Sequence, residues 1–561
     1  MTAPRRTAAA ARAADPRPVG RRLATRWAAL AIPLLLLGAA WVDRSSGDRP
    51  APATGSGPGF SVRNDDVSAY LPTAAPAGAL GSAWYCAGGT ATAGSPADHE
   101  VFLANVGDSP AHATVTAYPS TGAAPQAVRR DVAPRYRSLV RLGDVVTAPF
   151  AAAVVEVTGG QVVVEHRVSG PLGYDLAPCA TSASDRWYFP GGDTLLGDDM
   201  VLAVFNPVPA DATVDITFVT DGADQGVTNR APPALQGLPV PGRSLVIARV
   251  ADQVSRRSHI VTTVKATAGQ VVVDQLQTYG GTLAPPGAGG VAGQGGAAGQ
   301  GGAAGQGGLA GQPGGDAAVA VSPPGVTVHP GVPRPTTRWV FPDGAKTDGA
   351  QESYLVYNPS DRAADVEVGF ALDNPVLNPA PFPFEISGLS PGSFETVELD
   401  KETRIPAGVG HSAVIRSRNG VPVVAQRLLY GSSPWSHAGA AATTGSPVAA
   451  TTWVLATGTT LATTDEQVVV FNPGRTRARI RIRAVDSGRN LPEAGRSTWE
   501  VAPGGRLSVP VRSLGVPNGD LAIVVTSDQP VVVERTLLEN NAMGISSNIA
   551  VPLPADARPL G

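Results

Sequence analysis

The chain has 561 residues, a formal net charge of −3, 43% hydrophobic residues and only 5% aromatic residues. So even a charge balance leaves no global basic field to hold nucleic acid, which is excluded as an expected partner. The length predicts several domains, and an apolar content carried by Val, Ala and Leu, with 66 Gly and 52 Pro, predicts short strands and frequent turns.

The chain opens with a basic segment, residues 1–26, whose seven arginines face one acid, Asp15. An uncharged apolar run, Trp27 to Val42, follows and is closed by Asp43 and Arg44. The pattern predicts a cytoplasmic tail (1–26) and an N-terminal helix (27–42), with two readings of the helix. Trp27 and Trp41 at its ends fit the interfacial anchors of a transmembrane signal anchor. Its shortness against the roughly 20 residues of a span, with Gly38 and Ala40 near its end, fits the h-region of a cleaved signal peptide. Either reading sends residues 43–561 outward, as a single-pass membrane protein or a secreted one. Residues 43–80 read as a disordered spacer.

The two cysteines, Cys86 and Cys179, both fall within the first of four repeats. In an oxidising compartment they are expected to pair; two buried free thiols are the alternative.

The repeats announce themselves by anchors in fixed order. Trp84, Trp187, Trp339 and Trp453 open them, and an alternating strand then ends at Asn105, Asn206, Asn358 or Asn472. The Trp-to-Asn spacings are 21, 19, 19 and 19 residues. A second alternating strand follows, ATVTAY from Ala113, ATVDITF from Ala212, ADVEVGF from Ala364 and ARIRIRAV from Ala478. Period two predicts one buried and one wet face. A Pro-marked turn, a small-apolar strand and a closing strand complete each unit; the closing strands are GQVVVEHRVSG, GQVVVDQLQTYG, VPVVAQRLLYG and QPVVVERTLLE. Two residues after each Trp stands an apolar residue, Cys86, Phe189, Phe341 or Leu455, so the first copy is expected to put a cysteine where the others put a core hydrophobe.

Units of about 100 residues built this way predict an all-β chain of four tandem immunoglobulin-like β-sandwich domains, at 81–184, 185–285, 337–449 and 450–555. Between the second and third lies a Gly/Ala/Gln- and Pro-rich stretch (286–336), with a period-six tract from Gly293 to Gly315, expected to be a flexible linker that leaves two pairs of sandwiches. The order of these motifs, a Trp-Tyr opening, an Asn-Pro strand end and a Val-Val-Val-Glu closing strand behind a basic export segment, resembles a family of secreted actinobacterial proteins that share a domain of unknown function. That resemblance implies no activity, ligand or catalytic residue.

The search for chemistry turns up little. The seven histidines show no metal-binding helical spacing, and His99 beside Glu100 and His166 beside Glu165 read as strand-surface residues. Asp193, Asp198 and Asp199, and Asp221 with Asp224, miss the calcium-loop pattern and read as turn acids. No nucleophile elbow or phosphate loop occurs. Glu165, Asp274, Gln426 and Glu534 share one repeat position and read as solvated strand ends. No catalytic, cofactor or metal residue is therefore assigned. The expectation is a non-enzymatic envelope protein, held to the membrane by its N-terminal helix, whose partner is an envelope protein or a wall polysaccharide. A hydrolase with an unrecognised site and a pure spacer are the alternatives.

Overall fold

The computed structural model describes residues 67–76, 78–92, 94–221, 227–281, 323–486, 498–540 and 543–560. The apolar run 27–42, the tract 293–315 and Asp224 lie outside them. Among the described residues there is no α-helix, and no helix long and apolar enough to cross a membrane.

The Val-rich alternation becomes antiparallel strands. The first repeat holds β1 (Gly81–Cys86), β2 (Asp98–Asn105), β3 (Ala111–Pro119), β4 (Gln126–Val132), β5 (Tyr136–Arg141), β6 (Ala151–Gly159), β7 (Val162–Gly170) and β8 (Gly173–Pro178). They form two sheets, β1-β6-β3-β4 and β5-β2-β7-β8. The second strand of the sequence pattern starts at Ala111, two residues before the expected Ala113, and so lies six residues after Asn105 as its counterparts do after their asparagines.

The second repeat repeats this plan with β9 (Arg186–Phe189), β10 (Asp199–Asn206), β11 (Ala212–Asp221), β12 (Val227–Arg230), β13 (Leu238–Val240), β14 (Ser244–Arg249), β15 (Ile260–Ala268), β16 (Val272–Tyr279) and β17 (Gly325–Pro330). Its sheets are β9-β15-β11-β12, with β13 beside β11, and β14-β10-β16-β17. The third has β18 (Arg338–Phe341), β19 (Ala350–Tyr357), β20 (Ala364–Leu372), β21 (Phe384–Leu389), β22 (Phe394–Glu398), β23 (His411–Ser417), β24 (Val424–Gly431) and β25 (Gly439–Thr444). They order as β18-β23-β20-β21 and β22-β19-β24-β25.

The fourth comprises β26 (Val448–Thr459), β27 (Thr464–Phe471), β28 (Ala478–Asp486), β29 (Trp499–Val501), β30 (Arg506–Pro510), β31 (Asp520–Glu539), β32 (Ile545–Ile549), β33 (Val551–Pro552) and β34 (Arg558–Pro559). Here β31 runs through both sheets, pairing β26 and β28 up to Val531 and then β27 and β32. Pro530 sits at the crossover, where its missing N–H costs no ladder bond.

In each repeat the two sheets close on a shared apolar core, a β-sandwich-like arrangement. The four tryptophans are buried in these cores. Trp187, Trp339 and Trp453 donate their indole N–H to the carbonyls of Val271, Val423 and Val531, the same position three times; Trp84 donates to Ser82. The asparagines are fully buried and do one job four times. Each Asn side-chain amide donates to the carbonyl four residues on (Ser109, Ala210, Arg362, Thr476) and to one on a facing strand or turn (Val132, Val240, Leu389, Val501). Its oxygen accepts the N–H two residues on. They are clamps for the hairpin behind them rather than simple strand stops.

Cys86 and Cys179 form a disulfide. In the next two repeats the equivalents are Phe189 over Gly331 and Phe341 over Gly445, where a Cβ on the glycine would stand 2.6 and 2.8 Å from the ring. The disulfide thus fills, with two sulfurs, the space that a ring fills over a bare glycine.

Two expectations are overturned. The stretch 286–336 is not wholly a linker: its Gly325–Pro330 is β17, which pairs with β16 and completes the inner sheet of the second repeat. This short apolar strand hides in the sequence between prolines. Nor are there two tethered pairs. All described residues belong to one compact unit, Pro58–Gly561, in which the repeats close a circle. Edge strands β8, β17, β25 and β32 each pack against the next, and β32 against β8. Glycine begins this stretch in every repeat (Gly173, Gly325, Gly439, Gly544), and a Cβ at any of them would lie within about 3 Å of a neighbouring repeat's atoms.

The apolar clusters are chained the same way around. Val454, Ala456 and Val524 of the fourth repeat join the core of the first, and Ala152 and Val154 of the first join that of the second. Tyr188 and Val261 of the second join the third, and Val340 and Val414 of the third join the fourth. The expected spacer 43–80 is also partly built in: Val67 and Ala74 are buried, Leu71 packs on the fourth core, and the Ala74 N–H reaches the Pro552 carbonyl.

Candidate functional site

The densest chemistry lies where the repeats meet. Glu165, Asp274, Gln426 and Glu534 stand on β7, β16, β24 and β31, and none is solvated: all are at most 1% exposed. Each crosses a junction and accepts a backbone N–H of the preceding repeat, two residues past the buried apolar position. Asp274 takes Ala87 and Gly88 (2.7 and 2.8 Å) and Gln426 takes Gly191 (2.7 Å). Glu534 takes Asp343 (2.9 Å) and Glu165 takes Thr457 (3.1 Å), the last closing the circle between first and fourth repeats.

The residue after each latch, His166, Gln275, Arg427 or Arg535, faces the latch of the following repeat. The four junctions therefore carry three versions of one pair, Glu–Arg occurring twice. Glu534 and Arg427 are 2.7 Å apart, and Glu165 and Arg535 3.4 Å. Gln426 and Gln275 share Gly191, one accepting its N–H, the other donating to its carbonyl (2.8 Å). Asp274 and His166 are 3.8 Å apart. Arg427 and Arg535, at most 1% exposed, are among the most buried large side chains of the protein, and nothing in their strand sequences marks them as such. Arg535 also donates to the Thr457 carbonyl and to Asn548, and Arg427 to Ser547.

Burial governs the protonation of these groups. It pushes the Asp274 carboxyl up to about 7, against the pull of the two N–H donors. It also raises Glu165 and Glu534, which Arg535 and Arg427 hold back. His99 and His166, expected at the surface, are buried neighbours: His99 donates from Nδ1 to the Ala151 carbonyl (2.9 Å), so its Nε2 accepts from His166 Nδ1 (3.0 Å). Burial lowers His99 to about 4 and holds His166 well below its usual range. Gln426, its oxygen already taken, donates its amide to His329 Nε2 (3.0 Å), which leaves the His329 proton on Nδ1; burial lowers that ring to about 4 as well. Five of the seven histidines are buried, His112 and His259 being the exceptions.

Closer to the meeting of the edge strands, Asp175 of β8 ties three repeats together. Its carboxylate accepts the Val328 N–H (2.9 Å) and the Ser546 hydroxyl (2.7 Å). Burial raises it to about 8 against those bonds. Beside it is a cavity of about 50 Å³, to which all four repeats contribute, among them His329, Thr443 and Asn548, and which Tyr70 to Pro72 border. A water needs roughly 10–15 Å³ of such space, so the cavity has room for a few ordered waters.

The expected turn acids are also partly buried. Asp199 pairs with Arg249 (2.8 Å), Asp198 accepts the Gly280 N–H (2.7 Å), and burial with the neighbouring Asp198 raises Asp193 to about 8. Among the described residues no three His, Cys, Asp or Glu side chains converge closely enough to hold a metal ion.

Residues 333–558, the third and fourth repeats, match a family described as a family of unknown function (DUF5719). No curated protein matches the chain. Among solved structures the chain is similar to a Thermotoga maritima protein, Thermotoga maritima 1070, with 26% identity and a TM-score of 0.18 over 20% of this chain and 95% of that one.

Proposed function

We propose that the chain is a non-enzymatic cell-envelope ectodomain: four immunoglobulin-like sandwiches locked into one block, carried outside the membrane by the segment 27–42 and offering its outer faces to an envelope component. One observation supports this reading best. The acids, amides and bases at the four latch positions are buried at the junctions and engaged with each other or with backbone groups. Such a constellation holds parts together; it presents nothing to a reacting molecule.

The reading is tested with the purified full chain in detergent, sedimented with purified cell wall. Saturable retention is expected. Absence of retention leaves a spacer and removes the binding half of the reading. Protease added to intact cells should degrade the region after residue 43; full protection would remove the outward location.

A further inference from the structure

The outer faces of the four repeats share a backbone and differ in chemistry. On the strand after each clamp asparagine, the outward positions are His112, Thr114 and Thr116 in the first repeat and Thr213, Asp215 and Thr217 in the second. In the third they are Asp365, Glu367 and Gly369, and Glu367 is matched across the face by Arg416 (3.8 Å). In the fourth they are Arg479, Arg481 and Arg483, continued backwards by Arg477 and Arg475, and all five are exposed.

Among the described residues this row is compensated only at its start. Arg481 and Arg483 lie across from Thr526 and Val524. The described carboxylates beside the row are Glu500, which pairs with Arg477 (3.0 Å) and Arg479 (3.7 Å), and Asp528, which accepts the Arg479 backbone N–H. Alternate residues of a strand stand about 6.6–6.8 Å apart on one face, so Arg477 to Arg483 place four guanidinium groups in single file over roughly 20 Å. Guanidinium is the cation best shaped for two-point contact with phosphate oxygens.

We propose that this row is a binding track for a linear, phosphate-bearing polyanion. The proposal rests on the envelope-binding reading above and names its ligand class. A single file fits a chain-like polymer better than a membrane surface, which would favour a broad basic face.

The test uses the full chain and labelled long-chain inorganic polyphosphate, with binding followed by anisotropy across a salt series. Four contacts predict that log affinity falls with log salt at a slope of about −3. The variant Arg479→Ser, Arg481→Ser, Arg483→Ser should lose at least about tenfold in affinity and flatten the slope by about 2. A control with three other exposed arginines replaced (Arg129→Ser, Arg243→Ser, Arg256→Ser) should bind as the parent does. Glu500→Gln should bind severalfold more tightly, a gain that misfolding cannot mimic. No polyphosphate binding, binding indifferent to the row, or capture by anionic phosphatidylglycerol vesicles without polyphosphate binding would each overturn the proposal. Retention on cell wall without polyphosphate binding discards the track alone, whereas loss of both discards the envelope-binding reading with it.

Discussion

The junction between the third and fourth repeats and the junction between the second and third use the same backbone positions with opposite chemistry. At the former, Glu534 and Arg427 meet as a buried ion pair; at the latter, Gln426 and Gln275 reach the same kind of backbone site without any charge. The scaffold therefore does not require charge at this position. It requires an acceptor for the backbone N–H of the preceding repeat, and the partner is free to vary. The Gln–Gln and Asp–His pairs occur once each in the circle and the Glu–Arg pair twice, so most exchanges of neighbours would bury unmatched groups, a penalty that narrows the orders of assembly.

The largest way to break this comparison is Arg427→Ala. It strands Glu534 without its cation, and Glu352 as well, whose carboxyl lies 3.8 Å from the same guanidinium. A loss of about 3–5 kcal/mol is expected in denaturant unfolding. Converting that junction to the amide type sharpens the comparison: Arg427→Gln with Glu534→Gln should be less destabilising than Arg427→Ala, because Glu534 is no longer a buried charge and only Glu352 loses the guanidinium. Equal losses would show that charge itself is needed there. At the amide junction, Gln426→Ala removes the acceptor for Gly191 and the donor to His329, and about 1–3 kcal/mol is expected.

The smallest effect belongs to the Asp–His junction and is read against pH. The Asp274 carboxyl is raised to about 7 when folded, above its unfolded value, so its contribution is fully present below about pH 4 and is lost as pH rises through 7. Asp175, raised to about 8, acts in the same direction. His99, lowered to about 4, has the opposite sign: its contribution is present above about pH 6.5 and is lost as pH falls through 4. Between about pH 7 and 8 the histidine is mostly neutral in both states, so the melting temperature should fall with rising pH, and Asp274→Asn should flatten the lower part of that fall. A slope unchanged by Asp274→Asn would show that this carboxyl stays ionised.

What the sequence disclosed and what it hid follow from one physical fact. Signals within a repeat were legible: the Trp and Asn anchors, the cysteine pair, and the alternation of β3, β11 and β20, whose burial alternates as written. Signals between repeats were not. Glu165 and Asp274 looked like wet strand ends because a polar residue after three valines suggests an edge leaving the core. In the folded protein both faces of β7 and β16 are covered, one by their own second sheet and one by the neighbouring repeat. The runs of unbroken valine before these acids were the available sign, since near-continuous apolar strands are buried on both faces. β17 escaped for a different reason. It is six residues of weak signal after a long insertion, and only its partner β16 gives it a place.

The central claim is that the circle closes, with the first repeat seated on the fourth. The most direct measurement is a double-mutant cycle on Glu165 and Arg535, which meet at that closure although 370 residues separate them. Unfolding free energies of Glu165→Gln, Arg535→Gln and the double variant should give a coupling of about 1–3 kcal/mol. Additivity within about 0.3–0.5 kcal/mol would mean that the two side chains do not meet, and would contradict the closed arrangement.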